Sequence, residues 1–130
     1  MSNSKRVSID VAGAGHASPI PAASRIGNVM ITGHVYGRDP ATNDIAPGIA
    51  AQVPLLFQNL RAILEAAGAT PENVLKLSFK VKTLETRPLI NKEWSAMFPD
   101  PHSRPARQVD RTDELLDPAE ISCEAFVVFS

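Results

Sequence analysis

One cysteine, one tryptophan and one tyrosine in 130 residues leave little room for disulfide, thiolate-metal or aromatic-platform chemistry. Cys123 alone closes no intrachain disulfide and builds no cysteine-based zinc site, which fits a reducing compartment. Charge of neither sign dominates: 13 basic against 14 acidic side chains give a formal net charge of −1. The basic excess or dense basic run of a dedicated nucleic-acid binder is missing. No apolar stretch reaches the roughly 18 residues that span a bilayer. The first fifteen residues also lack the apolar segment of a secretory signal. These absences predict a cytoplasmic protein with neither nucleic acid nor membrane as partner. What remains, 44% hydrophobic and 21% charged residues, is the composition of an ordinary globule of one domain.

Short periodic stretches mark the elements. Val7, Ile9 and Val11 alternate in a first strand. Residues 12–23, with Pro19 and Pro21, read as irregular. Gly27-Asn28 between two β-compatible runs is a two-residue hairpin signal, giving two antiparallel strands over residues 24–33. Residues 35–47 read as a surface loop. From Ile49 to Ala67 the positions Val53, Leu56, Phe57, Leu60, Ile63, Leu64 and Ala67 form a helical stripe that Gly68 stops. A start at Ile49 would put Pro54 in the second turn, where it kinks the helix; a start near Ala51 would make it tolerable. Thr70-Pro71-Glu72 is a capped turn. Leu75, Leu77, Phe79 and Val81 then alternate with Lys76, Ser78, Lys80 and Lys82 in a half-buried strand. Its lysines form either a solvated face or a basic lining that attracts anions at a subunit interface. Thr86 is placed to cap a second helix whose apolar face is Ile90, Trp94, Met97 and Phe98. Strands over 106–112 and 121–129 complete the order β-β-β-α-β-α-β-β. This is an α+β sandwich with two helices on one face of the sheet, and the other face is left to water or another subunit.

No nucleotide-binding glycine loop, metalloprotease helix or nucleophile elbow is present. Gly13 to Gly15 is too short to signify, and His16, His34 and His102 have no ligand spacing, so no metal site is expected. Ser103-Arg104-Pro105-Ala106-Arg107 is more informative. It places Arg107 at the opening of a strand just after a proline-rich loop, where a guanidinium serves either a surface ion pair or a bidentate grip on a carboxylate. Cys123 reads as a buried strand thiol, and Met30 and Met97 as core.

Several segments then converge on one resemblance. They are residues 26–33 (Ile-Gly-Asn-Val-Met-Ile-Thr-Gly), residues 59–69 (Asn-Leu-Arg-Ala-Ile-Leu-Glu-Ala-Ala-Gly-Ala), Val74 to Thr83, Ile90-Asn91 with Phe98, Pro105-Ala106-Arg107 and Glu124-Ala125. In order and spacing the chain resembles the RidA/YjgF family, also labelled L-PSP endoribonuclease, over almost its whole length. The resemblance implies a chorismate-mutase-like fold, a homotrimer with clefts between subunits, and hydrolysis of small imine or enamine acids to 2-keto acids and ammonia without a cofactor. It implies that Arg107 grips the substrate carboxylate, that the backbone at Thr32-Gly33 shapes the cleft, and that Asn91 supports it.

The chain departs from the family pattern at defined points. Ser18-Pro19-Ile20 stands where the deaminating members carry Gly-Pro-Tyr, so Ile20 replaces a tyrosine. Val109 replaces a cysteine, Ser122 the glutamate credited with positioning water, and Gln108 and Asp110 smaller or apolar residues. Glu124 matches a second family glutamate. Water activation then falls to Glu124, to His34 or to neither. The candidate set is Arg107 and Glu124 as catalytic residues, with Thr32, Gly33, His34, Asn91, Ile20 and Ser122 lining the site. The alternatives are a non-catalytic trimer that binds small carboxylates for sensing or partner contact, and, more remotely, an endoribonuclease.

Overall fold

The computed structural model describes residues 5–11 and 19–130; Gly13 to Gly15, His16 and Ser18 lie outside the described residues. Seven strands and two helices follow the order β1 (Val7–Ile9), β2 (Ala23–Ile26), β3 (Val29–Thr32), β4 (Val35–Tyr36), α1 (Ile49–Ala67), β5 (Val74–Val81), α2 (Arg87–Met97), β6 (Ala106–Arg111) and β7 (Ile121–Val128). The strands form one mixed sheet in the order β1-β2-β3-β7-β5-β6, with β4 joining β7 beyond β3. Every pairing is antiparallel except β5 with β6, which α2 links as a crossover. The α+β sandwich expected from the sequence is the observed architecture.

The hairpin is where Gly27-Asn28 places it. Ile26 pairs with Val29, and Gly27 takes a positive φ of 57° that a side chain would resist. The 35–47 loop needs correction, because β4 lies within it and Arg38 bridges Ile45. Val35 is buried against β7 opposite Cys123, so the chain leaves the ladder at Gly33-His34 and rejoins it at once. Strand β5 needs a second correction. Its pairing with β7 slips between Val74 and Lys76, so Val74 turns inward and Leu75 is 58% exposed.

Helix α1 begins at Ile49 and runs unbroken through Pro54 to Gly68, whose φ of 77° gives the left-handed cap. Ala50, whose carbonyl loses its donor at Pro54, is exposed, as Pro54 itself is; solvent meets the unpaired group. Thr86 does not cap α2. Its backbone is already helical, and the cap sits upstream, where the Thr83 hydroxyl accepts the Glu85 N–H at 3.2 Å and starts a 3-10 turn over Leu84–Thr86.

The core fills the space between the helices and one side of the sheet. Leu56, Phe57, Leu60 and Ile63 of α1 and Ile90 and Trp94 of α2 meet Leu77, Phe79, Ile121, Cys123, Ala125 and Val127. Phe57 and Phe79 lie 5.9 Å apart. Cys123 is fully enclosed there, and burial, with a smaller push from Glu124, raises its pKa far above the ordinary thiol value. A raised acid pKa in the fold means that the unfolded chain releases the proton first. Stability is therefore untouched below the free-thiol pKa of about 8.5 and falls above it by about 1.4 kcal/mol per pH unit. Urea unfolding at pH 7.5 and pH 9.5 should show this loss in the wild type relative to Cys123→Ala. An equal pH dependence in both proteins would refute it.

Candidate functional site

Alternation along each strand sorts the candidate residues onto two sides of the sheet. Ser122 is registered with Lys80, and Glu124 with Ser78, all on the face away from the helices. On β6, Gln108 pairs with Ser78 and Asp110 with Lys80, extending the same two rows to the sheet edge. His34, released from the ladder between β3 and β4, joins them. Together these residues line a hollow of about 170 Å³. Glu124 and Ser78 also border an adjoining hollow of about 200 Å³, closed by Ile31, Thr32, Lys76 and Phe126.

The hollow holds an unpaid polar group. Ser122 is fully buried, and its hydroxyl is a buried side-chain polar atom without a hydrogen-bond partner among the described residues. Such a group costs about 1–3 kcal/mol unless a water or ligand satisfies it. Around it, Lys80 and Glu124 form no ion pair, while Gln108 donates to Asp110 at 2.8 Å and accepts from Lys76 at 3.2 Å. Cationic and anionic groups therefore face one small space.

Thr32 acts through the backbone. Its hydroxyl donates to the Gly33 carbonyl at 2.8 Å and accepts the Ala125 N–H at 2.9 Å, bridging the gap where β3 leaves the ladder. Gly33 donates its own N–H to the Ala22 carbonyl at 2.9 Å. These bonds fix the turn that presents His34. His34 lies 6.1 Å from the Tyr36 ring, and burial raises the Tyr36 pKa against the opposing influence of Arg38.

Arg107 is elsewhere. Its register partner is Leu77, a core residue, so its side chain leaves β6 on the helix side. The guanidinium carbon stands 5.1 Å from the centre of the Trp94 ring. Burial, and then the charge of Arg87, lower its pKa, although an arginine stays charged at neutral pH. Asn91 is on that side too, in an open groove of about 580 Å³ with Leu84, Glu85, Arg87 and Pro88. Ile20 is 55% exposed on the approach to β2 and lines neither space. A single chain thus brings His34, Ser122 and Glu124 together, with Thr32-Gly33 behind them, and holds Arg107 and Asn91 on the opposite side of its sheet. The sequence put the β5 lysines on this face and marked Gln108 and Asp110 as departures from the family pattern, but did not join Lys80, Ser78, Gln108 and Asp110 to the candidate set; their shared register across β5, β6 and β7 does.

A hollow of about 500 Å³ beside β1 is less promising, because its arginine is already committed. Arg25 donates to the carbonyls of Gly27 and Ala67 at 2.8 and 3.3 Å and stacks on Phe129, serving the C-terminal end of α1. Among the described residues no group of three His, Cys, Asp or Glu side chains is placed to hold a metal ion, and no helix is long and apolar enough to cross a membrane.

Comparison with known proteins places this geometry. The family model described as Endoribonuclease L-PSP matches residues 17–128. The chain belongs to this family, the RidA/YjgF group. A RutC family protein of Aquifex aeolicus is 28% identical over 116 residues, 85% of this chain and 93% of the relative. The 2-iminobutanoate/2-iminopropanoate deaminase of Escherichia coli K12 is 30% identical over 104 residues, 79% and 81% of the two chains. The crystal structure of RidA from the Antarctic bacterium Psychrobacter sp. PAMC 21119 superposes with a TM-score of 0.86 at 25% identity, covering 95% of this chain and 99% of that one. The sheet with two helices on one side is thus the RidA fold. The family description names an endoribonuclease, yet Lys76 and Lys80 stand among Asp110 and Glu124 rather than in the basic, aromatic groove that binds single-stranded RNA.

Proposed function

We propose that this RidA-family chain is a deaminase of small 2-imino acids, and that its active site forms where copies of the chain meet. The observation that carries the reading is a half-buried Arg107, held over Trp94 and without a carboxylate partner among the described residues. An arginine so fixed matches the planar fork of a substrate carboxylate. The kinship with a named 2-imino acid deaminase supports the same chemistry.

The reaction needs little apparatus. An imine carbon next to a carboxylate is electrophilic once its nitrogen is protonated. Water adds to that carbon as one of its protons passes to a base, which returns it to the nitrogen. The C–N bond then breaks as the remaining hydroxyl gives up its proton, leaving a 2-keto acid and, with that proton, ammonium. The protein must orient the substrate and place the water. Arg107 does the first. His34, Ser122 and Glu124 are suited to the second, the Ser122 hydroxyl binding the water and Glu124 or His34 taking its proton.

Arg107 and this trio cannot share a ligand within one protomer, because the sheet lies between them. A second copy removes the obstacle, since β6 is an edge strand and the helix-free face exposes Val29, Ile31 and Phe126 to a neighbour. The homotrimer expected from the family resemblance is the assembly proposed.

The test is deamination of imines made in situ by an amino-acid oxidase, with semicarbazide trapping the unreacted imine. Faster loss of imine with the protein than without it is expected. Saturable carboxylate binding without turnover would instead favour the sensing alternative. Ser122→Ala sharpens the test. It should leave the melting temperature unchanged or slightly raised, because an unsatisfied buried hydroxyl is removed, while lowering kcat about tenfold. Unchanged kcat would remove Ser122 from the water site.

A further inference from the structure

Arg107 has a second cation beside it. Arg87 opens α2, and after burial its charge is the second influence that lowers the Arg107 pKa. Arg87, Asn91 and Trp94 stand at helical spacing along one side of α2, and Trp94 is the ring beneath the Arg107 guanidinium. The 3-10 turn before α2 packs against β6, which brings the start of the helix to that strand. Arg87 is steadied by its own Nε–H, which donates to the Leu84 carbonyl at 3.3 Å and leaves its two terminal nitrogens for other partners.

Neither arginine is neutralised. The one ion pair among the described residues joins Arg111 to Asp113, and Glu85, which borders the groove with Arg87 and Asn91, pairs with neither guanidinium. Two like charges held near each other repel, the more so where one is half-buried. A ligand with a single negative group relieves part of that cost; one with two relieves both charges together.

We infer that Arg87 is a second anion anchor and that the chain takes imines of acidic amino acids, the α-carboxylate resting on Arg107 and the side-chain carboxylate on Arg87 beside the Asn91 amide. This rests on the reading of Arg107 given above and narrows its substrate class from imino acids in general to dicarboxylic ones. Arg87 thereby sets specificity and takes no part in the chemical step.

The experiment is calorimetric titration of the full chain with malonate, succinate, glutarate and propionate, for the wild type and Arg87→Gln. Arg87 is exposed, so glutamine keeps the helix and removes the charge. The best dicarboxylate should bind the wild type at least about tenfold more tightly than propionate. Arg87→Gln should erase most of that preference, weakening the dicarboxylate far more than propionate. Equal affinity for one and two carboxylates, no dicarboxylate binding, or a preference that survives Arg87→Gln would each overturn the inference. Turnover is measured alongside, on imines generated from alanine and from glutamate. A binding preference with no turnover of any imine would sink the deaminase reading and leave the second anchor standing. Turnover of the alanine imine with no dicarboxylate preference would do the reverse.

Discussion

Arg107→Ala should lower kcat/KM for imine deamination by roughly 150-fold, the equivalent of about 3 kcal/mol for losing a charge-assisted carboxylate grip. Most of the loss should fall on KM, because the substrate carboxylate keeps its charge from imine to tetrahedral adduct and its binding is nearly uniform along the reaction. Stability should hardly move. Among the described residues Arg107 pairs with no acid, so truncation strands no buried counter-charge; it removes a half-buried cation that Arg87 repels. Arg107→Lys should recover only a small part of the activity, since an ammonium keeps the charge but neither the fork nor the flat stack on Trp94. Steady-state kinetics with a thermal melt on each variant separate these effects. Full turnover by Arg107→Ala would end its role as anchor, and a large fall in melting temperature would make it structural instead.

Where the sequence could be read correctly, the signal was local. Gly27-Asn28 requires a tight turn and Gly68 a left-handed cap, and the stripe through Leu56, Leu60 and Ile63 leaves one way to bury a helix. Misreadings arose where a distant strand decided the outcome. Leu75 belongs to a clean alternation, yet a slip in pairing with β7 turns it outward. Val35 and Tyr36 are too few to announce a strand, and only β7 makes them one. The same limit governs the site. Arg107 and Glu124 share a motif-level role, but the side of the sheet each occupies follows from Arg107 lying in register with Leu77 and Glu124 with Ser78. Shifting either strand by one residue would exchange the faces. Arg87 gave no sequence signal, because its importance lies in the return of β6 past the start of α2.

Gly37→Ala should be among the most damaging small substitutions in the chain. An added methyl carbon would lie 2.7 Å from Gln52 Cβ and closer still to the Gln52 Cα and carbonyl oxygen, all within the first turns of α1. Two of those atoms are helix backbone, so no rotamer change relieves the clash; the segment after β4 must move away from the helix. Such overpacking costs about 3 kcal/mol, which lowers the melting temperature by roughly 10 °C in a chain of this size. The position also governs more than itself. Buried Gln52 donates its amide to the carbonyls of Ala46 and Pro118 at 2.9 and 3.3 Å and accepts the Glu120 N–H at 2.8 Å, tying the 37–46 loop and the entry to β7 to one helix turn. Glu120 stands two residues before Ser122, so displacing α1 from this junction disturbs the wall that carries the unpartnered hydroxyl. Adding Gln52→Ala should fail to rescue Gly37→Ala, because the obstructing Cα and carbonyl remain. Urea denaturation of the single and double variants decides the point. Near-complete rescue would show that the glutamine side chain, rather than the helix backbone, requires glycine at position 37.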